Sequence, residues 1–505
     1  MEVQLIGSLN YNKISEILKE CITDENKIDK IIESIKKNEI ERRSELVSSA
    51  GRLSRFSGSV LEVLQKSEGL SVEKNSSFAN RVISMGHKSI SEHDYLVFAL
   101  KDVSVAIEQT IIEERFSSFT IKSRREANFA NAGYYVPNFH DENGNVVNEN
   151  KSLQASYKNH MNDLFSTYSD LVNQGISVED ARFVLPYCFN SNIMMGINAH
   201  TLMDMIIKFT KTKYAKVEEF KEFGDRLYEI AKEKVPYIIP YIDQVPTNYD
   251  DEVSDYLDQI ITKEPYEILA HVKLLNNPND VDNRILTAAL MRRYQWDQEK
   301  CQSVLERASQ KDKTFKSELM RKIAFEGDKL ELSQVNFDFQ IPISYAILTH
   351  LTRHRTHKIM VPDFFPNIDL TQYKTPPKIK MDHQSDYDGL FQYNKATYDR
   401  FKQSGIRDED LIYFTLAGNM TNIVTNMDGW TVRHILELRE CNKAQWETRE
   451  IAYGIHDEIR KLDGADNFSN ILGPTCVTRR VCNEGKESCG KVLQLLKKDQ
   501  LKTSN

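Results

Sequence analysis

The stretch LELSQVNFDFQIPISYAILTHLTRHR, residues 330–355, decides the fold of this chain. Its first half, 330–342, has the composition of a β-strand, and its second half, 343–355, predicts an apolar helix that ends at Arg355. The predicted unit is therefore a strand that leads directly into a helix with cations at its C-terminal end.

The stretch SISEHDYLVFALKDVSVAIEQTIIEERF, residues 89–116, has the same order of elements. Apolar residues alternate in its first part, which predicts a strand, and Asp102 is predicted to open a helix that runs to about Glu114. Arg115 and Arg355 stand at the ends of the two predicted helices, at positions 240 residues apart. Similarity at this period indicates a duplicated domain and not a solenoid.

The remaining segments fit two copies of one α+β domain, each with a small antiparallel sheet and long helices. Helical patterning is predicted over 11–70, 150–235 and 407–462, whereas the tail, 471–505, is predicted to be loop-like. The Pro-, Asn- and Asp-containing stretch 237–256 is the linker candidate. We therefore predict domains at 1–245 and 246–505.

Composition limits the classes of function. A length of 505 residues suits two domains, and a net charge of −8 argues against binding to nucleic acid or to acidic membranes. No apolar stretch reaches membrane-spanning length, and the opening residues do not have the pattern of a signal peptide. Seven cysteines suit a reducing compartment, so a cytoplasmic protein is expected.

Candidate binding residues in the second copy begin with Arg353-His354-Arg355. Two guanidinium groups beside an imidazole suit a phosphate or an anionic ring, although the same cations could simply complement the helix dipole. Arg439 lies on a later helix, shortly before Ala444-Gln445-Trp446, and a surface ion pair is its alternative role.

The first copy carries a different set of candidates. Its loop has the spacing Arg115-x-x-Ser118-x-x-x-x-Ser123-x-Arg125, in which hydroxyl and guanidinium groups could bind a phosphate monoester. Before the strand stands Gly86-His87-Lys88-Ser89-x-x-Glu92-His93, whose His and Glu five residues apart could orient a cofactor or bind a metal, with a solvated turn as the alternative. Arg182 begins an apolar segment, where burial would require an anionic partner.

Together these motifs resemble the flavin-dependent thymidylate synthases. That family carries Arg-His-Arg-x-x-Ser-x-x-x-x-Ser-x-Arg after a Gly-His-x-x-x-x-Glu-His segment, then Ala-Arg-x-x-Leu-Pro, an Asn-Ala-Arg segment and Leu-Arg…Ala-Gln-Trp-Glu. The chain is similar to two such domains in tandem, over roughly 45–235 and 265–490. The order and spacing of the motifs make the resemblance specific.

The two copies depart from the family pattern in complementary ways. The first has Glu113-Glu114 in place of Arg-His and Phe209 in place of the late helix Arg, and His200 follows Asn198-Ala199 where the family usually has Arg. The second keeps Arg353-His354-Arg355 and Arg439, but Lys358, Asp363 and Phe365 replace Ser, Ser and Arg. Ile412 stands where the first copy has Arg182, and Asp328 stands near the equivalent of His87. Complementary loss implies one composite site for each chain.

The resemblance implies conversion of dUMP to dTMP, with 5,10-methylenetetrahydrofolate as the one-carbon donor and NADPH as the reductant of FAD. It implies catalytic roles for Arg353, Arg439 and His87. The dUMP contacts implied are Ser123, Arg125, Arg182, Arg353, Arg439 and His350. The FAD contacts implied are Arg353, His354, Arg355, His87, Ser89, Glu92 and Asn198.

The resemblance further implies a homodimer that forms a pseudo-tetramer with small-molecule substrates. Two alternatives stay open from the sequence: an enzyme of this fold acting on another pyrimidine nucleotide, and a non-catalytic paralogue that binds FAD or nucleotide. No metal is expected. Cys476, Cys482 and Cys489 lie close together in the tail, but a zinc site needs a fourth ligand and no His lies between them.

Overall fold

The computed structural model describes residues 1–8, 25–54, 56–57, 59–249, 252–262, 267–327, 329–363 and 370–503. Packing divides the chain into two compact units. The first comprises Met1–Pro265, Phe364–Thr371 and Thr375–Gly418, and the second comprises Tyr266–Asp363, Gln372–Lys374 and Asn419–Asn505. Asp328, Phe365 and the predicted helical residues 11–24 lie outside the described residues.

Helices make up most of the described chain. Up to residue 260 they are α1 (Glu25–Leu53), α2 (Val60–Glu68), α3 (Val72–Ser84), α4 (Val105–Ile111), α5 (Asn150–Asn173), α6 (Val178–Ala181), α7 (Ala199–Lys211), α8 (Glu218–Lys234), α9 (Ile239–Gln244) and α10 (Glu252–Ile260). They continue with α11 (Val281–Tyr294), α12 (Gln298–Lys311), α13 (Phe315–Phe325), α14 (Tyr345–Thr352), α15 (Pro377–Asp382), α16 (Gln384–Gln403) and α17 (Asp408–Leu411). The last are α18 (Gly429–Arg439), α19 (Trp446–Arg460), α20 (Asp466–Asn470), α21 (Thr475–Thr478) and α22 (Lys491–Thr503). Among the residues described, no helix is long and apolar enough to cross a membrane.

Each unit contains one four-stranded antiparallel sheet, and the two sheets have the same strand order. The first sheet joins β1 (Glu2–Ser8), β2 (Tyr95–Ser104), β3 (Ser117–Ile121) and β4 (Asn190–Asn198) in the order β1-β2-β4-β3. The second joins β5 (Lys273–Leu274), β6 (Asn336–Ser344), β7 (Lys358–Met360) and β8 (Met420–Asp428) in the order β5-β6-β8-β7. The α+β fold and the tandem duplication are thus confirmed.

The predictions of uninterrupted helical patterning over 150–235 and 407–462 were wrong, because each segment contains a central strand. Strand β4 pairs with β2, and β8 pairs with β6 from Asn336↔Asp428 to Ser344↔Met420. Alternate residues of β8 are buried, but half of these are threonines, so the hydrophobic period of two is weak in the sequence. Helix-forming segments on either side obscured both strands.

At both strand-to-helix junctions, the helix begins later in the sequence than predicted. Helix α4 begins at Val105 and not at Asp102, because Ser104 caps it by accepting a hydrogen bond from the Ile107 N–H. Asp102 instead lies in a β-bulge of β2 with φ 56°. Likewise α14 covers 345–352 rather than 343–355, since residues 343–344 complete β6.

Two further segments differ from prediction. Residues 237–244 of the linker candidate are mostly helical, and Tyr237, Ile238 and Ile242 are buried in the first unit. The tail is not only loop, because its last described residues form helix α22.

Equivalent segments of the two repeats pair with each other inside the first unit. The Tyr187 N–H donates to the Thr415 carbonyl at 2.8 Å, and the Ala417 N–H donates to the Leu185 carbonyl at 2.9 Å. Equivalent positions here differ by 230 residues, so Leu185 is equivalent to Thr415 and Tyr187 is equivalent to Ala417. The second contact is therefore the same as the first, with the two repeats exchanged. Reciprocity of this kind is the mark of a twofold-symmetric contact. The fused chain therefore carries internally a contact of the type that separate subunits make across a dimer axis.

A buried glutamate holds each strand-to-helix junction. Glu219 accepts from the Ser104 N–H at 3.0 Å and from the Tyr413 hydroxyl at 2.8 Å. In the second unit Glu447 accepts from the Ser344 N–H at 2.8 Å and from its hydroxyl at 2.7 Å. Burial raises the pKa of both carboxyl groups, that of Glu219 to about 7.

The raised pKa of Glu219 predicts a stability that falls as pH rises. The stabilisation linked to its proton is complete below its unfolded-state pKa of 4.5 and is lost as pH passes its folded-state pKa of about 7. Between pH 6 and 8.5 we expect the wild type to lose on the order of 1 kcal/mol relative to Glu219→Gln. Thermal unfolding of both proteins at the two pH values measures this, with the exposed Glu229→Gln as control. Equal pH dependence in all three proteins would contradict it.

Candidate active site

The Arg-His-Arg segment of the second unit splits into one inward and two outward side chains. Helix α14 ends at Thr352, and the Arg353 and Arg355 side chains that follow are exposed. His354 between them is 7% exposed, and its N–H donates to the Leu351 carbonyl at 2.9 Å. The sequence thus presents two cations at the surface and directs the imidazole inward.

The structure brings His354 together with Arg439, 85 residues later. Arg439 Nε donates to His354 Nε2 at 2.9 Å, and Nη2 donates to the His350 carbonyl at 3.0 Å. Burial, with a further contribution from the positive charge of Arg439, lowers the pKa of His354 to about 2. The imidazole is therefore neutral, and because Nε2 accepts a hydrogen bond, its proton resides on Nδ1. A neutral ring thus fixes the direction of a guanidinium group.

Contacts from the Ala-Gln-Trp-Glu segment and from the start of α19 stabilise the position of α14. Gln445 caps α19 by accepting from the Thr448 N–H at 3.0 Å, and Thr448 Oγ1 lies 3.3 Å from His350 Nδ1. His350 itself is 9% exposed. Together with the Glu447 bond to Ser344, these contacts determine where α14 begins and where it ends.

In the first unit, Arg125 and Arg182 converge on one residue, Glu179. The Arg125 Nε forms an ion pair with the Glu179 carboxylate, and Arg182 Nε donates to the Glu179 carbonyl at 3.1 Å. Arg182 is buried, as its sequence context predicted, whereas Arg125 is partly exposed. Ser123 Oγ accepts from the Arg125 N–H at 3.3 Å. Both arginines therefore contact Glu179, one at its carboxylate and the other at its carbonyl, and Ser123 contacts the backbone of Arg125.

The neighbouring Arg124 has a structural role that the sequence analysis missed. It donates to Glu108 Oε1 at 2.6 Å, and the Ser191 hydroxyl donates to the other oxygen of this fully buried carboxylate. This ion pair ties the loop to α4 and β4. Arg124 and Arg125 lie in a turn closed by the bond from the Ala127 N–H to the Ser123 carbonyl, and they contact different carboxylates, those of Glu108 and Glu179.

His87, Ser89 and Glu92 line one open pocket of about 630 Å³ in the first unit. All three side chains are exposed, and they lie in or just before the 3₁₀ helix Lys88–His93. Phe78, Val82 and Ile90 are among the apolar residues that line the same pocket. A pocket lined by both apolar and polar side chains is suited to a heteroaromatic ligand.

His200 and Asn198 have partners of their own in this region. His200 Nδ1 lies 2.9 Å from Glu92 Oε1, and its Nε2 lies 3.4 Å from Asp204 Oδ2. Asn198 caps α7, because its side chain accepts from the Thr201 N–H at 2.8 Å. Asp428 caps α18 in the same way at the equivalent position of the second repeat. The cap is a sufficient structural reason for a polar residue there.

The first repeat contains a degenerate counterpart of the Arg439 cluster. Lys208 Nζ donates to the Thr110 carbonyl at 3.4 Å and lies 3.7 Å from Glu114 Oε1. Thr110 and Glu114 are equivalent to His350 and His354, so a lysine–carboxylate pair replaces the arginine–imidazole pair. In the same unit, Ile412 is buried at the position equivalent to Arg182. At these positions, each repeat thus has different side chains from those of the candidate site residues of the other.

The structure therefore forms two clusters, each described within its own unit. One joins Arg439, His354 and His350, and the other joins Arg125, Arg182 and Ser123. Glu179, which stands three residues before Arg182, was missed, although this spacing on a helix predicts contact. Within the described residues, no group of three or more His, Cys, Asp or Glu side chains is already arranged to hold a metal ion.

Comparison with known proteins identifies the family of the chain. The family model described as thymidylate synthase complementing protein matches residues 37–237 and again 273–463. The flavin-dependent thymidylate synthase of Geobacter sulfurreducens is 30% identical over 159 residues, which cover 31% of this chain and 64% of that protein.

Two further relatives bear the same name. The protein of Clostridium tetani is 28% identical over 191 residues, covering 34% of this chain and 76% of the relative. That of Saccharolobus solfataricus is 29% identical over 215 residues, covering 41% and 78%. Across relatives of this kind, the matched part of the chain spans from 49% to 78% of the relative's length. Because the family model matches twice and covers most of the sequence, the chain belongs to the thymidylate synthase complementing protein family.

Proposed function

We propose that this chain is a flavin-dependent thymidylate synthase with one composite site for each chain. It would methylate dUMP to dTMP, with methylenetetrahydrofolate as the one-carbon donor and NADPH as the source of reducing equivalents, and would function as a homodimer. The observation that carries the proposal is the complementary retention of two clusters. The first repeat keeps Arg125 and Arg182, and the second keeps Arg439 and His354.

The first cluster has the chemistry of a phosphate site. A nucleoside monophosphate carries nearly two negative charges, which arginine forks match with charge-assisted hydrogen bonds. Arg125 and Arg182 already lie around the Glu179 residue, and Ser123 adds a hydroxyl group. Binding of dUMP would exchange the Glu179 carboxylate for the phosphate as the partner of Arg125.

The second cluster has the chemistry needed at the pyrimidine ring. Attack by C5 of dUMP on the one-carbon donor develops negative charge on the base, which nearby guanidinium groups stabilise. Arg439 is held at Nε and Nη2 by His354 and the His350 carbonyl, so little reorganisation is needed when that charge forms. Arg353, exposed at the end of α14, is the second cation assigned to this step.

The residues of the chain suit a bound flavin. The pocket lined by His87, Ser89 and Glu92 offers an apolar wall for a ring system and polar edges for its heteroatoms. Arg355 and Arg353 are exposed cations of the kind that bind a pyrophosphate. When bound, FAD supplies the hydride that completes the methyl group. His87 is assigned to this side of the site, together with Asn198, whose oxygen caps α7.

The direct test is dTMP formation from dUMP, methylenetetrahydrofolate and NADPH by the purified chain with FAD. Arg125→Ala should lower kcat/KM by about tenfold to hundredfold, since one charge-assisted contact to phosphate is lost. Arg353→Ala should lower kcat by roughly a hundredfold or more, since it removes charge stabilisation in the transition state. The control Glu113→Gln alters the degenerate counterpart of Arg353 and should leave the rate unchanged.

The outcomes separate the alternatives. Wild-type activity that survives either arginine substitution would show that one repeat functions alone, which contradicts a composite site. Binding of FAD or dUMP without dTMP formation would indicate a binding protein or another pyrimidine substrate. Activity recovered on mixing the two inactive variants would show that the two halves come from different chains.

Removing the internal anion should strengthen nucleotide binding. Glu179→Gln abolishes the carboxylate that neutralises Arg125, so the KM for dUMP should fall by up to about fivefold, the energy of a partly exposed ion pair. The exposed Glu126→Gln makes the same change in net charge and serves as the control. A KM that rises only in Glu179→Gln would show instead that Glu179 orients Arg125 for the substrate.

The role of His354 predicts a result that depends on a hydrogen-bond acceptor and not on charge. His354→Gln retains an acceptor for Arg439 and should keep most of the activity, whereas His354→Ala should lose about tenfold or more. Because the pKa of His354 is about 2, the acidic limb of the wild-type pH–rate profile should not change in His354→Gln. Equal rates for the Ala and Gln variants would contradict the positioning role.

A further inference from the structure

Four cysteines of the second unit line one small pocket. Cys441, Cys476, Cys482 and Cys489 all contribute to its wall, and the pocket encloses about 90 Å³. Cys441 follows the end of α18, and the other three come from the tail beyond it. The tail contains only three of these cysteines. The fourth, Cys441, lies 35 residues before Cys476 in the sequence.

Local contacts confirm that these thiols are neighbours. The Asn442 Nδ2, next to Cys441, donates to Cys489 Sγ at 3.5 Å. All four side chains are at least partly accessible to solvent, whereas Cys188 and Cys301 are buried singly elsewhere.

The tail around these cysteines has regular structure but no apolar core of its own. From Arg479 to Asp499 every described side chain is at least partly exposed, although this segment includes most of α22. Among the described residues, the side-chain contacts of this segment with the rest of the unit include the surface ion pairs Lys443–Glu487 at 2.9 Å and Arg479–Glu437 at 2.6 Å. Such pairs contribute about 0–1 kcal/mol each. Small elements without a core are commonly stabilised by a metal ion or by disulfides.

We propose that Cys441, Cys476, Cys482 and Cys489 bind one structural Zn²⁺ as a tetrahedral four-thiolate site. In the present structure the thiols line the pocket but are not arranged around one point, so binding requires their side chains to turn toward a common centre. Each thiol releases its proton to solvent as its sulfur bonds the ion, and no electron is transferred. Four cysteine ligands are a standard closed zinc site, with Zn–S distances of about 2.3 Å.

The site would connect the tail to the helix that carries Arg439. Cys441 lies two residues beyond Arg439, and Glu437, Leu438 and Glu440 of the same segment also line the pocket. Glu440 is itself anchored by a 2.6 Å contact with His456 Nδ1. A bound ion would therefore hold the C-terminal end of α18 in place, outside the reaction itself.

The test is the metal content of the full chain purified without chelators. We expect one zinc per chain by elemental mass spectrometry, loss of that zinc in Cys441→Ser and in Cys489→Ser, and full retention in the control Cys301→Ala. Replacement of zinc by Co²⁺ should give the intense thiolate-to-metal absorption bands of a tetrahedral sulfur site. Removal of the ion should expose Arg479, Arg480 and Lys491 to trypsin.

These readouts do not require dTMP formation, so they stand or fall separately from the proposed activity. A wild-type chain that, after reconstitution with zinc, holds no more metal than Cys441→Ser would overturn the proposal. The proposal would also be overturned if the intact mass of the freshly purified protein showed that the four cysteines are paired as disulfides.

Discussion

The bond from a buried glutamate to the serine at each strand-to-helix junction is the interaction on which the rest of the structure depends. Glu447 accepts from the N–H and the hydroxyl of Ser344, and Glu219 accepts from the N–H of Ser104. Each bond determines where β6 or β2 ends and where a short helix begins. Because α14 has only eight residues, its start also determines its end, and Arg353 and His354 stand there.

Divergence of the two repeats has changed side chains while keeping this frame. In the second repeat, the end of α14 contacts an arginine through a neutral imidazole; in the first, the end of α4 contacts a lysine through a carboxylate. His354 is a neutral partner of Arg439, whereas Glu114 lies 3.7 Å from Lys208 and offsets its charge. The two repeats therefore differ in the charge of the group that contacts the cation at the end of this helix.

Sequence reasoning predicted the duplication, the α+β class and the candidate residues, because these depend on short motifs with fixed spacing. It missed β4 and β8, where buried threonine, serine and methionine weaken the alternation and helices lie on either side. It placed the start of α4 at Asp102, since a bulge is invisible without its pairing partner. The pairing of Arg125 with Glu179, the neutral state of His354 and the arrival of Cys441 beside the tail all depend on tertiary packing, so periodicity could not predict them.

In the proposed function, two incomplete repeats together provide one composite site. The measurement that tests this most directly is the stoichiometry of dUMP and FAD bound to the purified chain, by calorimetry and by flavin absorbance. A composite site predicts one dUMP and one FAD for each 505-residue chain, and loss of tight dUMP binding in Arg125→Ala. Two nucleotides per chain would contradict the account, because each repeat would then carry a complete site of its own.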